Sequence, residues 1–444
     1  MKRKHLRAAA VAAVLGAVAL SVGTSGPAAA PTVKSKATVS SQTVLDWNVI
    51  AVNTVRAATP AKFQIEGGLY MTYVQAAVYD AVAAVKGKED GKRKGKDTPF
   101  RKLKLNIPDA SSRAAAASAA YSTLVYFFPA QAVALTQTYT DYLNNTLSSL
   151  PADAKQAGVA VGAAAAADLI ASRWGDGRDA PISTPYGVPP QPAGTWSFAP
   201  APSAQSAQTP WVAFMKPFLL ESASQFRPPA PPALTSSQYL NDLNEVRTMG
   251  SFGSTARNAD QTAIGNFWNA NVINQYAQMF RDVATAHNLD LEDTARLLAM
   301  GTMVGSDAGI ACMDAKYHYL LWRPVTAIRA TTSDTTWTPL LTTPNHPEYP
   351  SAHGCVTAAT VAVLESVLKT KNINIDVPGA QGGLTTLTTS RHYATSDDLI
   401  NEVANARVWA GLHYRFSTTA GVALGKAVAK WDLDHFGKDE KKDK

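Results

Sequence analysis

Cysteine is nearly missing: the 444 residues hold two, Cys312 and Cys355. So few exclude a disulfide-framed scaffold and a cysteine-rich zinc module. Strand-forming alternation is almost as scarce, the run 384–389 being the nearest approach to a ribbon. Beyond the first 30 residues no stretch stays apolar over the length that crossing a bilayer needs. Charge of one sign is weak as well. Of the formal +7, Lys2, Arg3, Lys4 and Arg7 carry four, leaving near +3, too little to point to nucleic acid. Ser351 has no Gly-x-Ser-x-Gly around it, which argues against a serine hydrolase.

What the chain has instead is helical periodicity. The four early cations, an apolar run over 8–22 and the small residues Ala28-Ala29-Ala30 read as a secretory signal peptide over 1–30, which places the mature chain outside the cell. About 410 residues then remain, enough for a large core. Alanine-rich or 3.6-periodic patterns predict helices over 44–58, 69–85, 111–128, 130–147, 152–174, 236–249, 260–287 and 291–315. Residues 181–232 are dense in proline, with Trp196, Phe198, Trp211 and Phe214 among them, and read as an irregular strap that buries its aromatics on the helices. The expected organisation is a helical part over 31–180, the strap, a second helical part over 233–437 and a charged tail over 438–444. The basic run 86–104 reads as a solvated loop.

Three separated stretches carry the chemistry. In the first, Lys316 and Arg323 stand seven residues apart, a spacing that puts both on one helix face, with Pro324 ending the helix. In the second, His346 and Glu348 lead through Pro350 and Ser351 to Ala352, His353 and Gly354. An apolar helical period begins at Val356, so Ser351 takes the N-cap position and the first free amides face an anion site. In the third, a helix from about Asp397 carries Arg407 and breaks near Gly411, turning His413 back past its end. The residues themselves name no acidic partner for His353 or Arg407; Asp307 and Asp314 stand nearest Lys316 in the chain. Cys312 and Cys355 flank the first two stretches, and a disulfide between them is open.

In this order the stretches resemble the signature of the vanadium-dependent haloperoxidases and the type 2 phosphatidic acid phosphatases. That signature reads Lys, six residues, Arg-Pro; then Pro-Ser-Gly-His; then Ser-Arg, five residues, His, three residues, Asp. Lys316, Arg323-Pro324, Pro350-Ser351, His353, Arg407 and His413 match it, whereas Ala352 replaces the Gly, Ala406 the Ser and Ser417 the closing Asp. The last exchange puts the orientation of His413 in question. The resemblance implies an all-α fold of the vanadium chloroperoxidase and acid phosphatase type, two helical bundles with an anion at the end of the second.

Such an anion would be met by paired donors from Arg323 and Arg407, the point charge of Lys316, the Ser351 hydroxyl and the Ala352 amide. The resemblance makes His413 the residue that binds vanadate and His353 the acid and base, with Lys316 polarising the peroxide. The expected reaction is oxidation of halide by hydrogen peroxide. A histidine at His346 marks bromide or iodide before chloride. The same cage also suits a phosphomonoesterase in which His413 becomes phosphorylated, and a non-catalytic oxyanion-binding protein. No stable membrane insertion and no nucleic-acid partner are expected, and a homodimer is open.

Overall fold

The computed structural model describes residues 39–86 and 99–437, apart from 104, 106, 185, 189, 190, 199–205 and 380–388. The signal segment 1–30, most of the basic run, the ribbon residues 384–388 and the tail 438–444 lie outside the described residues.

Among the described residues thirteen helices and one small sheet make an all-α fold, as the sequence leads one to expect. The first five helices are α1 (Gln42–Arg56), α2 (Gln64–Lys86), α3 (Ser112–Phe127), α4 (Ala132–Asp141) and α5 (Ala152–Ser172). The next four are α6 (Ser237–Met249), α7 (Ala259–Phe267), α8 (Val272–Ala286) and α9 (Leu291–Tyr319). The chain closes with α10 (Pro324–Thr331), α11 (Ala352–Leu368), α12 (Ser396–Trp409) and α13 (Arg415–His435). A two-stranded antiparallel ribbon pairs Ile375–Gly379 with Thr389–Tyr393, in register Ile375 to Tyr393. Among the described residues no helix is long and apolar enough to cross a membrane.

Small side chains bring the helices close. Ala114 to Ala117, Ala119 and Ala120 on α3 are fully buried, so α3 lies tightly on α5 and α2. The apolar stripe of α2, with Val74, Ala77, Val78, Ala81 and Val82, is buried against both and against α9. The 29-residue α9 thereby joins the first helices to the second set, in which α11 packs on α9, α12 and α13. Close approach at the site depends on Gly421 and Gly425 of α13. A Cβ on Gly421 would meet the Ser351 carbonyl oxygen at 2.5 Å, and one on Gly425 would come closer still to that of Cys355.

Several expected boundaries move, each for a local reason. The helix anticipated over 260–287 is two, broken at residues 268–271, where the Asn271 side chain accepts from the Ile273 amide and starts α8 afresh. Pro324 does not end a helix; it opens α10 at the first position, where its missing N–H costs nothing. Lys316 and Arg323 therefore do not share a helix face: α9 stops at Tyr319, Leu320 turns left-handed at φ 51°, and Arg323 caps α10. Neither α10 nor α13 was anticipated. In the Pro-rich stretch Trp196 is buried, but Phe214 is 59% exposed, so not every aromatic there is covered. Cys312 and Cys355 are both buried free thiols and form no disulfide.

That stretch is pinned by a carboxylate. Asp307, in the middle of α9, accepts from the amides of Phe218, Leu219 and Leu220 at 2.7, 2.7 and 3.1 Å. Asp314, two turns on, takes a bidentate ion pair from Arg227 at 2.7 and 2.8 Å. Both acids near Lys316 thus fasten the strap and leave the histidines to another partner.

Candidate active site

Three structural decisions bring the site together. The Leu320 reversal lets Arg323 return beside the end of α9. The loop 345–350 lies over both, held by the Glu348 amide on the Leu321 carbonyl at 2.9 Å and by the Tyr349 hydroxyl on the Pro229 carbonyl at 2.8 Å. Gly411, at φ 77°, ends α12 and sends His413 back toward that loop.

The cations are buried and their bonds are directional. Lys316 donates from Nζ to the carbonyls of Pro347 and Glu348 at 2.9 and 2.7 Å. Arg323 donates from Nε to the His346 carbonyl at 2.9 Å and from Nη1 to the Leu412 carbonyl at 3.0 Å. Its Nη1 also lies 3.3 Å from His413 Nε2, and its Nη2 lies 3.0 Å from His346 Nδ1. Arg407 donates from Nη1 to the Trp268 carbonyl at 3.1 Å, a carbonyl left free by the break between α7 and α8. Burial lowers all three: Lys316 to about 8, Arg323 to about 10 and Arg407, which also feels Arg323, to about 9.

The acid that orients His413 is Glu348. Its Oε1 lies 2.7 Å from His413 Nδ1 and 3.1 Å from the Tyr414 amide, and the side chain is wholly buried. A guanidinium can only donate, so the nitrogen facing Arg323 Nη1 must accept. Nδ1 then carries the proton, and His413 presents a lone pair on Nε2. Ser417 stands at the position where the signature has its Asp, and its hydroxyl and Glu348 Oε2 are both buried without a hydrogen-bond partner. Burial raises Glu348 to about 7, against the pull of Lys316 and Arg323.

His353 repeats the arrangement. Its ring faces the Trp268 carbonyl, while Nε2 is buried without a partner. His346, His353 and His413 are all held well below the usual histidine range, first by burial, then by neighbouring cations. All three are neutral imidazoles at pH 7.

A cavity of about 80 Å³ is lined by His346, Ala352, His353, Arg407 and His413, with Phe63, Gln64, Ile65 and Tyr276. Lys316, Arg323 and Ser351 stand behind that wall. Three polar atoms around it are unmet: Arg407 Nε, Ser351 Oγ and His353 Nε2 are buried with no partner. Ser351 holds the N-cap position of α11, but its hydroxyl does not cap the helix, contrary to expectation. Three buried cations face one buried carboxylate, and the groups that shift Arg407 are Arg323 and Tyr276, neither of them acidic. Such an excess of buried positive charge is costly unless an anion neutralises it. The donor set fits vanadate or phosphate, multiply charged tetrahedral guests that take several N–H and O–H donors at once. Every sequence-derived site residue therefore falls in one neighbourhood.

Glu348 was missed as a functional residue, although the departure at Ser417 was the signal that a carboxylate had to come from elsewhere. The Trp268 carbonyl and the residues at the start of α2 carry no sequence signal of their own.

Comparison with known proteins bears on the fold that carries these residues. Residues 296–438 match the family described as the VCPO second helical-bundle domain. The vanadium chloroperoxidase of Curvularia inaequalis is 25% identical over 260 residues, and the match spans 43% of this chain and 43% of that protein. Among solved structures, the first bacterial vanadium-dependent iodoperoxidase superposes with a TM-score of 0.70 at 22% identity, over 90% of this chain and 98% of its own. A bacterial vanadium-dependent chloroperoxidase in its holo form gives 0.63 at 18% identity, over 89% and 93%. These structural likenesses establish the fold. Residues 296–438 in addition resemble the second helical bundle of the vanadium chloroperoxidase family, and that match covers about a third of the chain.

Proposed function

We propose that the chain is a secreted vanadium-dependent haloperoxidase that oxidises bromide or iodide, before chloride, with hydrogen peroxide. The observation that carries this reading is the accepting Nε2 of His413, fixed by Glu348 behind it, in a cationic cavity where Arg407 Nε, Ser351 Oγ and His353 Nε2 are unmet. Vanadate, when bound there, supplies a Lewis-acidic centre that makes peroxide a competent oxidant.

The chain's own groups have separable tasks. His413 would hold the guest through Nε2, and Arg323 and Arg407 would neutralise its oxygens, with Ser351 donating from its hydroxyl. Lys316 adds a point charge that favours the developing negative oxygen. His353, neutral and unpartnered at Nε2, takes the first proton from peroxide and returns it to the departing hydroxide. The net change is halide, peroxide and one proton giving hypohalous acid and water. His346, buried against Arg323 with Phe63 at a ring-centroid distance of 5.8 Å, is the residue assigned to halide preference. The iodoperoxidase and chloroperoxidases among the similar proteins support peroxide and a halide as reactants, while the order among halides rests on His346 alone. Secretion rests on the amino-terminal segment alone.

The test is to dialyse the purified protein against orthovanadate and assay bromide and iodide oxidation by peroxide beside hydrolysis of an aryl phosphate. Vanadate-dependent halide oxidation is the expected result. Phosphatase turnover that vanadate only inhibits, without halide oxidation, would assign the cage to phosphohistidine chemistry. Binding without either turnover would leave a non-catalytic oxyanion protein.

A further inference from the structure

A second cavity, of about 90 Å³, adjoins the anion cage and shares Gln64, Ile65, Val272, Tyr276 and Val356 with its wall. A row of glycines lines it. Gly301, Gly305 and Gly309 stand one helical turn apart on α9, and Gly68 on α2 also lines the space. A Cβ on Gly68 would meet nothing within 4 Å, so the helix there faces open space. The remaining walls are largely apolar, among them Met71, Ile273, Phe280 and Leu298.

One polar group in this wall is unmet. Asn48 is 1% exposed and its Nδ2 is buried without a partner. Its amide orientation is settled, because Arg281 Nη1 donates to the other atom, which must be the oxygen. Asn48 thus brings an unpartnered NH₂ donor to the wall of a largely apolar chamber. An unpaired buried donor costs free energy that a ligand acceptor would recover. Apolar walls with one or two placed polar groups are the pattern of a small-molecule site, and the space far exceeds the roughly 10–15 Å³ that one water needs.

We propose that this chamber binds a small apolar organic molecule carrying one hydrogen-bond acceptor, such as a ketone, with the acceptor on Asn48 and the apolar body along the glycine row toward the cage. The occupant's role as the molecule that meets the oxidant formed next door rests on the haloperoxidase reading; its binding does not.

Acetophenone, titrated calorimetrically into the protein without peroxide, halide or vanadate, is the probe, with ethylbenzene as its partner lacking an acceptor. Acetophenone is expected to bind about fivefold more tightly than ethylbenzene, a margin set by one hydrogen bond. Gly68→Leu should fill the chamber and weaken acetophenone by at least about tenfold, the scale of one lost apolar contact surface. Orthovanadate affinity, measured separately by dialysis, should be unchanged in Gly68→Leu, since Gly68 does not line the cage, and this also shows that the variant is folded. Absence of acetophenone binding to the natural chain, or equal binding to folded Gly68→Leu, would overturn the proposal. Acetophenone binding in a protein that ignores vanadate would retain the chamber and remove the haloperoxidase reading.

Discussion

Glu348 Oε1 sits 2.7 Å from His413 Nδ1, and this pair replaces the link that Ser417 cannot make. The carboxylate reaches the histidine from the loop before α11, not from the first turn of α13. Because Arg323 Nη1 faces Nε2, the pair also fixes Nε2 as the accepting nitrogen, the one a guest would take over from Arg323.

Glu348→Gln keeps the shape and removes the charge. Orthovanadate affinity should fall about 10- to 100-fold, the usual effect of losing a carboxylate behind a ligating histidine. Adding Ser417→Asp to Glu348→Gln should restore part of it, because Ser417 stands where the signature has its Asp. Equal affinity in all three proteins, measured by equilibrium dialysis, would mean that the carboxylate does not tune His413.

The pair also predicts a pH dependence. Glu348 is held at about 7 by burial, above the usual glutamate range, so it takes up a proton as pH falls through that value. Protonated Glu348 would donate to Nδ1 and move the imidazole proton to Nε2, where it faces Arg323 and the guest. Vanadate binding by the natural chain, divided by that of Glu348→Gln, should therefore decline below about pH 7. The ratio removes the guest's own ionisation. ¹⁵N shifts of the His413 ring should report the tautomer change with the same midpoint, and a ratio flat from pH 5 to 8 would contradict the assignment.

Asp307 should matter for stability and little for binding. Asp307→Ala leaves the amides of Phe218, Leu219 and Leu220 without their acceptor, at an expected cost of about 2–4 kcal/mol. Asp307→Asn, which retains one acceptor oxygen, should lose less. Denaturant unfolding checks the order; a loss of vanadate affinity without a loss of stability would place Asp307 in the site instead.

Much of this was legible because helices are local. The alanine face of α3 and the Val74 to Val82 stripe of α2 announce themselves within a few turns, and burial follows from that period. The cage residues could be gathered because their spacings survive in sequence. What escaped is set by the path of the chain in space. Lys316 and Arg323 meet the same loop through a left-handed reversal at Leu320, a conformation with no glycine to mark it. Asn271 restarts a helix inside an unbroken apolar pattern, and the freed Trp268 carbonyl then serves Arg407. Glu348 lies in the very stretch that drew attention, yet its partner is 65 residues away. The two cysteines stay free thiols, with Cys312 Sγ 3.6 Å from the Pro350 carbonyl.

The most direct measurement is ⁵¹V NMR of orthovanadate bound to the natural chain and to His413→Ala. The account predicts a shifted bound resonance in the natural protein that His413→Ala abolishes or moves, while His353→Ala keeps it. An identical bound signal in the natural chain and in His413→Ala would show that Nε2 of His413 does not meet the anion.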